Sequence, residues 1–310
     1  MSGSKNASAS VAARLLSRAR EQDEDYQFVL ARYAIERLIW RLGRSQYAEA
    51  FVLKGAMMFL VWTGEVYRPT KDLDLLARVS HTADRLKSVF EEICQAPVED
   101  DGITFLAESI QAGQIREDQA YGGLRVTMRA LLGKIRIPVQ IDVGFGDAVT
   151  PDPVQSHFPV LLQQSESPVV LAYPRETTIA EKLEAIVSLG MANSRMKDYY
   201  DIYVLLRRFP FEGPLLSAAV RATFKRRQTP FPSETPLGLS SEFASDSAKL
   251  AQWKAFQKGK GFKLPPPELT EAVREIRDFL LPPLKKAADG RLLAAQWDYR
   301  SQWTGDGFPE

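Results

Sequence analysis

Between residues 25 and 43, in DYQFVLARYAIERLIWRLG, apolar side chains fall at Phe28, Val29, Ala31, Tyr33, Ala34, Leu38, Ile39 and Leu42. Their spacing, close to 3.6 residues, predicts an amphipathic helix closed by Gly43. The next apolar stretch, AFVLKGAMMFLVW (50–62), reads as a short strand, a turn at Lys54-Gly55 and a buried helix. DLDLLARV (72–79) reads as a strand, and residues 81–95 return to helical spacing. From 103 to 145 the alternation in ITFLAES, GGLRVTMRALL and IRIPVQIDVGFG, interrupted by glycines, predicts antiparallel strands. PVVLAYP (168–174) is the last expected strand.

The texture then changes. RETTIAEKLEAIVSLG (175–190) predicts a helix with Thr177 or Thr178 as its N-cap, and RMKDYYDIYVLLRRF (195–209) predicts a second. Residues 226–242 are rich in Pro and Ser and read as a long surface loop. SAKLAQWKAFQKG and LTEAVREIRDFLLPPLKKAA are two further helices. The expected organisation is a flexible N-terminal segment (1–24), a mixed α/β part (25–174), a helical part (175–300) and a tail (301–310).

Composition narrows the function classes. With 310 residues, 45% of them hydrophobic, the chain can bury one large core or two small ones. No run of eighteen apolar residues occurs, so no membrane span is expected. The first ten residues, MSGSKNASAS, lack the apolar stretch of a secretory signal. Cys94 is the only cysteine, which excludes an intrachain disulfide and a cysteine-built zinc site and leads us to expect a cytoplasmic protein. His81 and His157 are too few for a histidine-built metal site or a catalytic triad. Residues 51–201 hold 15 Lys/Arg against 21 Asp/Glu, a balance of −6, and residues 202–300 hold 17 against 10, a balance of +7. An acidic middle suits a divalent cation and a basic C-terminal part suits a polyanion; chance scatter over solvated faces is the alternative.

Chemistry concentrates in RPTKDLDLL (68–76). Residues i and i+2 of a strand point to the same face, so Asp72 and Asp74 aim their carboxylates together. Two like charges so close are costly unless a cation lies between them, and Mg²⁺ or Mn²⁺ with oxygen ligands is the natural occupant. Asp142, between Ile141 and Val143 in an apolar strand, offers a third carboxylate. The alternative is that Asp72 or Asp74 caps a turn and Asp142 lies on a solvated edge. The small-residue turn Lys54-Gly55-Ala56 can present backbone N–H groups to phosphate, or it can be an ordinary tight turn. On the later helices Asp198 and Asp201 stand i, i+3 on one face, and Lys182 on the preceding helix can fold back against them. Arg221, Lys225, Arg226 and Arg227 form a basic group that can contact RNA phosphates or serve as a solvated helix end.

A strand, a small-residue turn, a helix and then two aspartates flanking an apolar residue on a second strand resembles the DNA polymerase β nucleotidyltransferase superfamily. More narrowly, FVLKGAMMFLVW followed by YRPTKDLDLL resembles the AbiEii/AbiGii-type nucleotidyltransferase toxins. The matching positions are Arg68, Thr70, Asp72 and Asp74, then Glu181 and Lys182 in AEKLEAI, and Asp198 and Asp201 in RMKDYYDIYVLL. QWKAF extends the resemblance towards the C-terminus. Ala56 replaces the second glycine of the turn, and the Arg-Asp pair is drawn out to Arg195-Met196-Lys197-Asp198.

The resemblance implies an α+β protein: a polymerase-β-like core, a mixed sheet with flanking helices, followed by a helical C-terminal domain. It implies a metal-dependent enzyme that transfers a nucleotide from an NTP to an acceptor, expected to be RNA at the 3′ end of a tRNA. It implies the toxin of a toxin–antitoxin or phage-defence pair, with a separate antitoxin as partner. Asp72, Asp74 and Asp142 would hold Mg²⁺ or Mn²⁺, Lys54, Gly55, Arg68 and Thr70 would bind phosphates, and Lys182, Asp198 and Asp201 would complete the nucleotide site. The competing readings are a metal-dependent nuclease or phosphohydrolase, a small-molecule nucleotidyltransferase of the aminoglycoside type, and an inert binding protein on the same fold.

Overall fold

The computed structural model describes residues 2–115, 122–163, 166–298 and 302–305. The chain divides into two compact units, Met1–Gly146 with Val154–Ala172, and Asp147–Pro153 with Tyr173–Glu310.

The first unit is built on a mixed seven-stranded sheet. Its strands are β1 (Phe51–Lys54), β2 (Asp72–Ala77), β3 (Ile103–Gln114), β4 (Leu124–Leu132), β5 (Ile135–Phe145), β6 (Val154–His157) and β7 (Val169–Ala172), in the order β3-β4-β5-β2-β1-β7-β6. β3, β4 and β5 form an antiparallel meander. β2 runs parallel to β5 and antiparallel to β1, and β1 runs parallel to β7. Gly133, at φ +61°, opens the two-residue connection between β4 and β5, where Leu132 and Ile135 face each other.

Period-two alternation gives the sheet two different faces. Leu53, Leu73, Leu75, Val126, Met128, Ile141 and Val143 are buried in one core cluster with helices α2 (Tyr26–Arg44) and α4 (Ala83–Cys94). The carboxylate of Asp25 accepts from the Gln27 N–H at the start of α2, and the Thr82 hydroxyl accepts from Arg85 at the start of α4. A short 3₁₀ turn (Gly55–Met57) and α3 (Met58–Thr63) follow β1 directly.

The segment expected to be flexible is instead helix α1 (Ser2–Glu21). Val11, Leu15 and Ala19 lie four residues apart, so one helix face carries all three, and they are buried in the core of this unit. The polar composition of the first ten residues hid that stripe. β6 is a further element that the sequence reading did not anticipate.

The second unit is mainly helical. Its helices are α5 (Arg175–Leu189), α6 (Met196–Arg208), α7 (Gly213–Arg227), α8 (Ser241–Ser245), α9 (Ser247–Gln257) and α10 (Leu269–Ala288). A small antiparallel sheet joins β8 (Phe211–Glu212), β9 (Ala295–Trp297) and β10 (Trp303–Gly305). The expected tail thus contributes β10, while residue 301 and residues 306–310 lie outside the described residues.

α5 starts earlier than its threonines suggested. Pro174 precedes it in an extended conformation and no side chain caps it. The Thr177 hydroxyl is taken by Thr150, donating to its carbonyl at 2.8 Å and accepting from its N–H at 2.9 Å. The Pro- and Ser-rich loop packs on its own unit at two points. The Tyr199 hydroxyl donates to the Gly238 carbonyl at 2.8 Å, and Phe231 stacks on Phe224 with ring centroids 4.8 Å apart. Trp253 is buried in this unit, with its indole N–H on the Pro267 carbonyl. Among the described residues no helix is long and apolar enough to cross a membrane.

Candidate active site

On β2, Leu73 and Leu75 point into the core, so Asp72 and Asp74 stand on the opposite face, both half-buried. Lys54 on β1 lies opposite Asp74, and on the other side Asp142 of β5 pairs in register with Asp74. Arg125 of β4 in turn lies opposite Asp142. Four adjacent strands therefore present Lys54, Asp74, Asp142 and Arg125 side by side, with Asp72 two residues from Asp74 on the same face. The charge order is plus, minus, minus, plus.

The contact between β4 and β5 is the best defined of these. Arg125 Nε donates to Asp142 Oδ1 and Nη2 to Oδ2, both at 2.8 Å. This fork-on-fork geometry engages both carboxylate oxygens. Arg125 remains 39% exposed at its side chain and Asp142 21%, so water screens the pair.

Gly55 packs directly on the acidic pair. At φ +73° a Cβ on this residue would stand 1.9 Å from Asp74 Oδ2 and 2.8 Å from the Asp74 Cβ. Only glycine lets the turn's backbone lie on that carboxylate. Arg68 and Thr70 are half-buried in the segment that leads into β2.

The donor set suits a hard divalent cation: three carboxylates on one face of two neighbouring strands, under a turn that leaves no room for a side chain. As the side chains lie, however, no three His, Cys, Asp or Glu residues among the described residues are gathered closely enough to hold a metal ion. Asp72, Asp74 and Asp142 share a face without closing a shell.

The second unit holds its own buried charge cluster. Lys182 Nζ on α5 donates to Asp198 Oδ1 at 2.6 Å and to Asp201 Oδ2 at 2.9 Å, both carboxylates being on α6. Arg195 Nε donates to Asp198 Oδ2 at 2.7 Å. Asp198 and Asp201 are each 1% exposed at their side chains. Burial pushes the Asp198 carboxyl up, but Lys182 and then Arg195 outweigh it and hold it well below the usual carboxylate range.

The basic group expected to contact RNA divides. Arg221, Lys225 and Arg226 are exposed on α7. Arg227 is turned inward, with Nη1 2.7 Å from Glu184 Oε2 and Nη2 3.2 Å from Asp147 Oδ1 and 3.7 Å from Glu181 Oε2. The Thr229 hydroxyl donates to the same Glu184. Burial works against the Arg227 cation, yet Glu181, Asp147 and Glu184 together push its pKa above the ordinary arginine value. Arg227 is thus committed to carboxylates inside its own unit. Burial pushes the Cys94 thiol up to about 12.

Sequence reasoning missed Arg125, although a signal existed. The connection at Gly133-Lys134 makes β4 and β5 pair residues whose numbers sum to 267, which sets position 125 against 142.

A mixed seven-stranded sheet with flanking helices and a mainly helical second unit make up an α+β fold. Residues 37–278 match the family described as nucleotidyl transferase AbiEii toxin, type IV TA system, and the chain belongs to that family. It is a nucleotidyltransferase toxin of a type IV toxin–antitoxin system, so an antitoxin is implied as its partner. No curated protein matches the chain. The solved structures that resemble it include two from Helicobacter pylori. One is of a protein from H. pylori described as a proposed nucleotidyltransferase, with 14% identity and a TM-score of 0.47, covering 86% of this chain and 96% of that one. The other is JHP933 from Helicobacter pylori, with 14% identity, a TM-score of 0.47 and 86% and 94% coverage.

Proposed function

We propose that this toxin transfers a nucleoside monophosphate from an NTP to RNA, at the 3′ end of a tRNA, in a reaction that requires Mg²⁺ or Mn²⁺. The observation that carries the reading is the register of Asp74 with Asp142, with Asp72 on the same face and Gly55 packed on Asp74. A divalent cation held by Asp72, Asp74 and Asp142 would neutralise the phosphates and favour the ionised acceptor hydroxyl. The chain's own residues do the positioning. Lys54, the Gly55 backbone, Arg68 and Thr70 bind phosphate oxygens. Within the second unit, Asp198 and Asp201 fix the Lys182 ammonium in one orientation, a charge suited to an anionic ligand.

The exposed Arg221, Lys225 and Arg226, together with the +7 balance of residues 202–300, favour a polyanionic acceptor over a small molecule. A single cysteine and an NTP substrate suit the cytoplasm.

The test is to incubate the protein with each α-labelled NTP, total RNA and Mg²⁺ or Mn²⁺, and to resolve the RNA by size. Label entering one RNA class with one preferred NTP is the expected result. RNA that is shortened, with no label gained, would point to a nuclease instead.

A further inference from the structure

The row of charges across the first unit's sheet raises a question about Arg125. Three carboxylates on one face repel one another unless positive charge is supplied. The sheet supplies some of its own: Lys54 lies opposite Asp74 on one side, and Arg125 grips Asp142 on the other. Arg125 engages both oxygens of Asp142, so a guanidinium holds the third carboxylate by its full fork. That hold is firm in geometry but weak in energy, because the Arg125 side chain is 39% exposed and can swing into solvent. An arginine this close is also well suited to a phosphate, which accepts the same bidentate fork.

We propose that Arg125 is a positioning residue that occupies Asp142 as a stand-in for the divalent cation and releases it when nucleotide arrives. This rests on the reading of Asp72, Asp74 and Asp142 as the cation's carboxylates. In the free protein the guanidinium keeps Asp142 oriented on the shared face and lowers the affinity for a cation on its own. The triphosphate gives Arg125 a replacement anion, so Asp142 becomes available as the nucleotide binds. Cation and nucleotide therefore bind with positive coupling, which is reciprocal by thermodynamic necessity. A purely structural cross-strand pair would behave differently, since removing its charge would raise cation affinity but leave the coupling to nucleotide unchanged.

The experiment is a Mn²⁺ titration of the full chain followed by electron paramagnetic resonance, at fixed ionic strength. It is done with and without an NTP analogue that carries a methylene bridge between its α- and β-phosphates. Wild type is compared with Arg125→Gln, Arg125→Lys and Asp74→Asn. Without nucleotide, Arg125→Gln should bind Mn²⁺ roughly three- to tenfold more tightly than wild type, the range a partly exposed charged pair can suppress. The tightening that nucleotide produces in wild type should shrink by the same factor. Arg125→Lys, which cannot fork, should fall between the two and carries the test if Arg125→Gln does not fold. If both Arg125 variants bind Mn²⁺ no more tightly than wild type while Asp74→Asn abolishes binding, the carboxylate reading stands and the role of Arg125 is overturned. If wild type binds no Mn²⁺ with or without nucleotide, the carboxylate reading fails and this inference fails with it.

Discussion

Lys182 is held between two carboxylates, Asp198 and Asp201, at 2.6 and 2.9 Å, and both carboxylates are almost wholly buried. Removing one partner of such a cluster costs more than the cluster contributes, because the remaining charges stay buried.

Lys182→Met should therefore destabilise the protein by about 3–5 kcal/mol at neutral pH, measured by urea denaturation. The pH dependence follows from Asp198. Its folded-state pKa is depressed, so its contribution is fully present above the ordinary aspartate value of ~3.9 and is lost as the pH falls towards the folded pKa. Wild type should lose stability steeply below about pH 4. In Lys182→Met the depression is reduced, so the loss over that window should be smaller. Equal losses in the two proteins would show that Lys182 does not set the Asp198 pKa.

Gly55 and Gly64 separate backbone strain from crowding at the site. Both have positive φ, +73° and +74°, but a Cβ at Gly64 meets nothing within 4 Å while one at Gly55 strikes Asp74. Each alanine variant should cost roughly 1 kcal/mol of stability from conformation alone. Transferase activity should survive Gly64→Ala and fall by at least about tenfold in Gly55→Ala, since displacing reacting groups by about 1 Å can cost ~100-fold. Equal activity in the two variants would remove Gly55 from the site.

α7 presents two kinds of cation. Replacing Arg221, Lys225 and Arg226 with serine should leave stability within about 0.5 kcal/mol, because all three are exposed. It should weaken RNA binding and flatten its log–log salt dependence by about 0.7 per lost phosphate contact. Arg227→Ala should do the reverse: a stability loss of about 3 kcal/mol from stranding Glu184 and Asp147, with the salt slope unchanged. A salt slope that the triple variant leaves untouched would move the RNA off this helix.

The contrast between Arg226 and Arg227 shows where the sequence stops being legible. Local periodicity located β2, β5, α2 and α4, because one buried face writes its spacing into the chain. It also brought out Asp72, Asp74 and Asp142, since a carboxylate at a strand position between buried residues breaks the pattern. It could not tell which of two adjacent arginines turns inward, because that depends on Asp147, 80 residues away in sequence. α1 was hidden for a related reason: its three buried residues sit among serines and arginines, and only packing against the sheet unit gives the stripe meaning. Thr177 was misjudged because its hydroxyl had a better partner at Thr150 than a cap position could offer.

The proposed activity puts nucleotidyl transfer to RNA on the carboxylate face of β2 and β5. Its most direct test is the transfer of α-labelled NMP to RNA by wild type, Asp74→Asn and Asp142→Asn, each first shown to unfold at a temperature close to wild type. Wild type should label RNA in the presence of Mg²⁺ or Mn²⁺, and both variants should lose at least about 100-fold in rate, the cost of removing a group that stabilises developing charge. Undiminished labelling by the folded Asp74→Asn protein would take the reaction off this face.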